Sequence, residues 1–524
     1  MDALNVFPVP DGDTGTNMSL TMQSAIREVN SKEFLRADEA AAALAKGALR
    51  GARGNSGVIT SQLLRGFSKA LAGVEKITPV QFAEAMKRGS DMAYKAVMKP
   101  KEGTILTVAR VMAEDALKQV AKAPDDYDAL FNVILRSGEA ILKRTTEMLP
   151  ALQAANVVDS GGRGLLFIYA GYAAVLRGED ITPVSGMLEG DTPSAPEMAC
   201  DGSGELTFTY CTEFSVQHMA EDTTDADIDS FRRRLKRNGD CVKVTGDLTG
   251  IRVHVHTDHP GNALEYGMEL GELVDMKVTN LRELKRQKEQ PAAAPEAPAA
   301  PAEPEKEYGM VAVSLGDGFS QIFRDLSVDM IVEGGQTMNP SIDDILQAIN
   351  RVNARNVFVF PNNGNVVMAA QQAAHLAKEK HVLVIPTKNV AMGIAAAVAF
   401  QADATPEQNE AAMTEAANHV RTGTVTYAVR DSEYNGVQIK QGDYIGLHNG
   451  AIEYSGSSVH DVSLEMMKAI ITEDDELISV YYGADISKED AEALTAEIAE
   501  AYPDCDVECH SGGQPLYYYL ISVE

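Results

Sequence analysis

The stretch PVPDGDTGTNM, residues 8–18, sets Asp11 and Asp13 on either side of one glycine, directly before a strongly helical pattern. Two carboxylates at that spacing can address one hard cation or a closely spaced pair. Such cations take oxygen ligands and keep several waters for sharing with phosphates. Pro8 and Pro10 stiffen the approach, while Gly12 and Gly15 permit tight turns. The ordinary reading is an N-cap, in which Asp or Thr satisfies the free amides of a starting helix. The motif alone leaves both readings open. A second element, GARGNSG at 51–57, joins the end of one helical pattern to the start of the next. Backbone amides in such a place form an anion site without basic side chains, and a plain Gly/Asn/Ser helix boundary is the ordinary explanation. KPKEGTILTV (99–108) and VVDSGGRG (157–164) put small polar and glycine residues at two more helix starts. The phosphate-loop pattern G-x-x-x-x-G-K-[ST] and the protein-kinase H-R-D and D-F-G signatures do not occur.

A different chemistry is offered further on. His254 and His256 in VHVHTD alternate on a strand pattern and therefore share one face, as do Cys211 and Glu213 in YCTEF. One Cys and two His form a zinc-type set, with Glu213, Asp258 or water in the fourth position. The competing reading is two solvent-facing histidines and a buried cysteine. Cys241 is expected in the core. Cys505, Cys509 and His510 in PDCDVECH lack a further ligand pair and read as packing. Tyr517–Tyr519 read as strand, core and edge.

These residues need several domains to position them. At 524 residues the chain exceeds one ordinary core. Residues 1–180 hold seven helical segments with apolar residues at three- and four-residue spacing, joined by short connections that imply antiparallel neighbours. Residues 200–286 alternate like strands with two helical stretches, a small α+β domain. Residues 287–307 are Pro, Ala and Glu in alternation, a semi-rigid spacer. Residues 308–524 alternate strands and helices, an α/β domain with a largely parallel sheet. The expected fold class is thus multidomain: all-α, then α+β, then α/β. Net charge is −30, which repels phosphate backbones and anionic lipid, so nucleic acid and membrane are not expected partners. No integral membrane segment or secretory leader is evident. Five scattered cysteines give no disulfide framework, and a cytoplasmic protein is expected.

Taken together, PDGDTGTNM, GARGNSG, KPKEGTILTV and VDSGGRG resemble the nucleotide-binding domain shared with the ADP-forming subunit of dihydroxyacetone kinases. YCTE, VHVHTD, GGQTMNPS, PNNGN, IPTK and SGGQPLYYYLISVE extend the resemblance, over essentially the whole chain, to the bacterial fatty acid kinase catalytic subunit. The resemblance implies an antiparallel eight-helix barrel binding ATP at one rim, with aspartates holding two Mg2+ ions. Asp11 and Asp13 would then be the catalytic, magnesium-holding pair. Thr16 and Asn17 would sit by the phosphates, with Asn55, Ser56 and the amides of Gly54 and Gly57 cradling phosphate oxygens. Thr104, Ser160, Gly161 and Gly162 would border the nucleotide. Asn5 is the polar side chain in the stretch where the small-molecule kinases carry a third aspartate. The resemblance likewise implies Zn2+ on Cys211, His254 and His256, with Glu213 as a further candidate.

The implied reaction is phosphoryl transfer from ATP to a fatty-acid carboxylate presented by a separate fatty-acid-binding protein, giving an acyl phosphate for phospholipid synthesis. The C-terminal domain would serve as a docking module, and the kinase would self-associate as a homo-oligomer, a dimer. The family also has a helix ahead of the aspartate motif, so either a misassigned start or a truncated chain is expected. The rivals are a kinase of a small polyol or ketone bound by a partner protein, a non-catalytic nucleotide-binding scaffold, and a zinc hydrolase. The last lacks an H-E-x-x-H motif.

Overall fold

Alanine-rich segments with apolar residues every third or fourth position build helices from residue 14 to residue 176. The computed structural model describes residues 1, 12–179, 208–217, 219, 223–247, 250–282, 306–334, 339–428, 432–434, 437–448 and 451–524. Asn5 and Asp11 lie outside the described residues. So does the spacer expected at 287–307, apart from Lys306 and Glu307, which open a strand. The chain divides into two compact units, Met1–Ile181 with Pro304–Glu524, and Thr182–Glu303.

In the first unit the helices are α1 (Thr14–Val29), α2 (Ala37–Arg50), α3 (Gly54–Ala70), α4 (Pro79–Ala96), α5 (Ile105–Val120), α6 (Tyr127–Met148), the short α7 (Pro150–Ala155) and α8 (Ser160–Leu176). The seven long ones correspond to the seven periodic segments of the sequence. Each long helix from α1 to α6 packs on the next, and α8 touches α1, α5 and α6. Phe82, Met86, Val108, Met112, Phe131 and Leu142 fill the space between them. Local signals set the ends. Thr78 and Gln81 form a reciprocal capping box with Pro79 in the first turn of α4, and the Asp126 carboxylate accepts the Ala129 amide at 2.8 Å to start α6.

The same unit contains β5 to β16, numbered after the strands of the second unit. Apolar runs, buried in the two central strands, form β5 (Lys306–Ser314), β6 (Met330–Glu333), β7 (Ala354–Phe360) and β8 (His381–Val384), a parallel sheet in the order β6-β5-β7-β8. Such runs are what a sheet covered on both faces requires. Its helices, numbered after α9 and α10 of the second unit, are α11 (Asp317–Asp325), α12 (Ile342–Arg351), α13 (Val367–Leu376), α14 (Val390–Val398) and α15 (Pro406–His419).

The largely parallel sheet expected of the whole C-terminal region stops there. Residues 421–523 form β9 (Arg421–Tyr427), the hairpin β10 (Ser432–Tyr434) and β11 (Val437–Ile439), then β12 (Tyr444–His448), β13 (Ala451–Gly456), α16 (Val459–Ile470), β14 (Leu477–Tyr482), α17 (Lys488–Ala501), β15 (Asp506–Ser511) and β16 (Tyr519–Val523). The six-stranded sheet runs β13-β12-β9-β16-β14-β15, and only β14 and β15 are parallel. Only two residues of sequence separate β12 from β13, and so short a connection permits only antiparallel pairing.

In the second unit, β1 (Tyr210–Gln217), β2 (Gly239–Asp247), β3 (Gly250–Thr257) and β4 (Glu272–Asn280) make an antiparallel sheet ordered β2-β3-β1-β4. Helices α9 (Asp225–Asn238) and α10 (Pro260–Met268) pack on it. Alternation sends Phe214, Val216, Val253 and Val255 into the core with Phe231 and Leu235 of α9. The other face is left for Cys211, Glu213, His254 and His256.

Candidate nucleotide and metal sites

Four helix starts meet at one end of the helical bundle. A side chain at Gly54, first residue of α3, would come within 2.4 Å of Asn17 Nδ2 in α1. One at Gly161 of α8 would lie 3.2 Å from Ile105 Cβ, where α5 begins. One at Gly164 would meet Met18 of α1 at 2.7 Å. The N-termini of α1, α3, α5 and α8 are thus neighbours. Aligned peptide dipoles and free amides make such a rim attractive to anions. In a chain of net charge −30, backbone amides and bound cations are ways of holding phosphate that need no basic side chain.

Asp13 caps α1 from the outside, its carbonyl accepting the Asn17 amide at 2.8 Å. Asp13 and Asn17 are only 6% and 3% exposed, whereas Thr16 faces solvent. Gly54 has φ +56°, a left-handed conformation that glycine adopts without strain. Gly57 is buried against Thr21 Oγ1. Asn55 and Ser56, partly exposed, follow in the first turn of α3.

The other two loops carry caps. Thr104 Oγ1 accepts the Leu106 amide at 3.3 Å and donates to the Lys101 carbonyl at 2.9 Å. The Asp159 carboxylate accepts the Gly162 amide at 2.7 Å. Burial pushes its pKa up to about 6, against the downward pull of the Gly162 and Ile105 amides. Ser160, Gly161 and Gly162 are buried, with Gly162 against Val108 and Leu142. Small residues there let α8 approach α5 closely.

Sequence reasoning missed what lies on the open side of this rim. Asn339, between β6 and α12, donates its amide to Asp13 Oδ2 and approaches Asn17 Oδ1 at 3.5 Å. Arg53 donates to the Asn339 carbonyl at 2.8 Å and reaches Asp344 at 3.4 Å. The Ile342 amide bonds the Ala52 carbonyl at 3.1 Å, and Asn55 donates to Asn365 Oδ1 at 3.0 Å. Ala52 and Val58 share a core with Ile342, Ile345 and Val359 of the parallel-sheet region. The signal was present as the motifs GGQTMNPS and PNNGN, which supply Asn339 and Asn365.

In the second unit, Cys211, His254 and His256 bring their ligand atoms within 4.8 Å of one another. Glu213 Oε1 is 2.9 Å from His254 Nδ1, so Glu213 engages an imidazole instead of joining that trio. Asp258 accepts the Thr209 amide at 2.8 Å and also stands outside it. The unforeseen carboxylate is Asp240, 3.4 Å from His256 Nδ1, in a second group with Cys241 and His256. Cys241, expected in the core, is exposed: it sits at a bulge in β2 with φ +51°, and the bulge turns it outward. Cys505 and Cys509 pack against the β14–β16 core, and His510 pairs with Glu508 at 2.9 Å.

Three family descriptions match in succession. Residues 8–174 match the DAK2 domain, 207–288 the FakA-like middle domain of fatty acid kinase, and 309–524 the FakA-like C-terminal region of fatty acid kinase. The protein YloV of Bacillus subtilis is 43% identical over 534 aligned residues, covering 100% of this chain and 95% of that protein. The chain belongs to the FakA-like fatty acid kinase family. A Staphylococcus saprophyticus protein is 41% identical over 528 residues with the same shares. Part of the chain is similar in structure to the Streptococcus pneumoniae Fatty Acid Kinase B3 protein loaded with linoleic acid, at 13% identity and TM-score 0.28. That match covers 42% of this chain and 99% of the other. As a FakA-like protein the chain is of the phosphotransferase class, and its DAK2 region carries Asp13, Asn17, Gly54 and Asp159. Among the described residues no helix is long and apolar enough to cross a membrane.

Proposed function

We propose that this chain transfers the terminal phosphoryl group of ATP to the carboxylate of a fatty acid held by a separate fatty-acid-binding protein, giving an acyl phosphate and ADP. The observation that carries the reading is the nearly sealed carboxylate of Asp13 at the junction of four helix N-termini. A buried carboxylate among oxygen donors suits a hard divalent cation. Buried Asn339, whose amide nitrogen donates to that carboxylate, carries a further oxygen, Oδ1, without a partner among the described residues. Magnesium, when bound, supplies charge neutralisation for the phosphates. Asp13, with Asp11 as its proposed partner, holds that ion. The amide at Gly54 receives phosphate oxygens, whereas that of Gly57 is taken by the Arg53 carbonyl at 3.1 Å and only shapes the loop; Asn55 and Ser56 flank the phosphates, and Thr104 with Ser160–Gly162 borders the nucleotide. Phosphoryl transfer asks mainly for positioning of this kind.

The middle unit is proposed to hold one zinc ion on Cys211, His254 and His256. The protein is also proposed to act as a dimer. The test is magnesium-dependent ATP consumption by the full chain with a fatty-acid-loaded binding protein, against Asp11→Ala and Asp13→Ala. Turnover that needs the lipid and both aspartates supports the reading. Turnover unchanged in either variant sinks it.

A further inference from the structure

We infer that Asn339, from the parallel-sheet region of the C-terminal domain, belongs to the cation site of the helical domain, as an oxygen ligand of the divalent ion that Asp13 holds. The inference rests on the kinase reading above and adds a residue 326 positions away from Asp13 in the chain.

Asn339 is 1% exposed, and a side-chain amide so buried has a strong need for partners at both ends. Its nitrogen is well used, donating to Asp13 Oδ2 and lying 3.5 Å from Asn17 Oδ1. Its oxygen accepts nothing from the described residues. An acceptor stranded in a buried polar site is costly unless something occupies the space beside it. The groups beside its nitrogen are a carboxylate and another amide, and once the amide turns about its last torsion its own oxygen joins theirs, a set that suits a cation. A neutral amide oxygen is an accepted ligand for hard divalent ions. A turn of the amide group about its last torsion would present the oxygen toward the same ion as Asp13.

The backbone around Asn339 is fixed firmly enough for such a role. Arg53 donates to its carbonyl, the Ile342 amide bonds Ala52, and residues 53 and 341 form a bridge. A second asparagine from the same domain, Asn365, ties Asn55 on the other flank of the glycine loop. Gly54 passes between them, where a Cβ would stand 3.3 Å from Asn339 Nδ2.

The experiment titrates Mn2+, a paramagnetic stand-in, into the full chain with a non-hydrolysable ATP analogue, following free Mn2+ by electron paramagnetic resonance. Wild type is compared with Asn339→Ala and Asn339→Asp, and circular dichroism monitors folding of each. As an oxygen ligand, Asn339 predicts at least a tenfold loss of Mn2+ affinity in Asn339→Ala and affinity equal to or tighter than wild type in Asn339→Asp. A residue that only steadies Asp13 through its N–H would lose affinity in both variants, because the introduced carboxylate would repel Asp13. That result, or equal affinity in all three proteins, overturns the inference. Wild type that binds no Mn2+ with the nucleotide would overturn the kinase reading and this inference with it.

Discussion

Cys211 and His256 are direct cross-strand partners on β1 and β3, and Asp240 approaches the same imidazole from β2. Three adjacent strands therefore converge on one ring. Glu213 pairs in register with His254 on the same face and lies within hydrogen-bond reach of its Nδ1. A carboxylate placed behind an imidazole fixes the tautomer and leaves the other nitrogen for a metal.

Zinc content should follow that division of labour. Wild type is expected to retain one zinc per chain after purification, and Cys211→Ser to lose it, read by elemental analysis. Glu213→Gln should weaken affinity by about 10- to 100-fold without abolishing it, as loss of an orienting partner does. Competition with a colorimetric chelator measures this, and an unchanged zinc affinity in Glu213→Gln would remove its assigned part.

Asp159 makes stability depend on pH in a direction opposite to most carboxylates. Its folded-state pKa, raised to about 6 from an ordinary 3.8, means that the folded chain holds the proton more tightly than the unfolded one. The stabilisation is fully present below the unfolded value, declines as pH rises toward 6, and stays lost above it. Asp159→Asn keeps a cap acceptor for the Gly162 amide and removes the titration. The melting temperature of wild type relative to Asp159→Asn should therefore fall across pH 4 to 6, and a flat difference there would refute the assignment.

Gly54→Ala should damage the site more than the fold. The left-handed backbone costs an alanine about 1–2 kcal/mol, a melting shift of a few degrees. The new methyl would also displace the buried Asn17 amide, 2.4 Å away. Fluorescent ATP-analogue binding should drop by an order of magnitude or more while the far-ultraviolet circular dichroism stays native.

Arg53→Ala tests the join between the glycine loop and the C-terminal domain. It removes the hydrogen bond to the Asn339 carbonyl and a half-exposed pair with Asp344. The first is worth about 1 kcal/mol, and the second adds little. Hydrogen exchange should quicken at residues 339, 341 and 342, including the Ile342 amide bonded to Ala52, and stay unchanged at the buried centre of α5.

Much of this was legible from local pattern. Helical periodicity located the seven long helices, α1 to α6 and α8, because each buries one stripe, and VHVHT declared its two faces through strict alternation. The small polar and glycine residues of KPKEGTILTV and VVDSGGRG marked two helix starts. Contacts set by chain-distant neighbours were not legible. Asn339 and Asn365 entered only as parts of the motifs GGQTMNPS and PNNGN, since nothing local says that a segment over 300 positions away will meet the aspartate motif. Cys241 read as core because a bulge that shifts the register leaves no mark in the alternation before it. The second sheet read as parallel because strand and helix alternate there too, while the return of β16 between β9 and β14 is decided by tertiary packing.

Ala52 and Val58 have a consequence for how the protein is made. Both are fully buried, yet their neighbours Ile342, Ile345 and Val359 emerge from the ribosome nearly three hundred residues later. At ordinary elongation rates that is roughly 15–60 s. During that interval the second and third helices carry an unfinished apolar seam, and the whole middle unit is synthesised while it waits. The nascent helical domain therefore presents that seam to solvent, or to whatever shields apolar surface at the tunnel exit, until the C-terminal domain arrives.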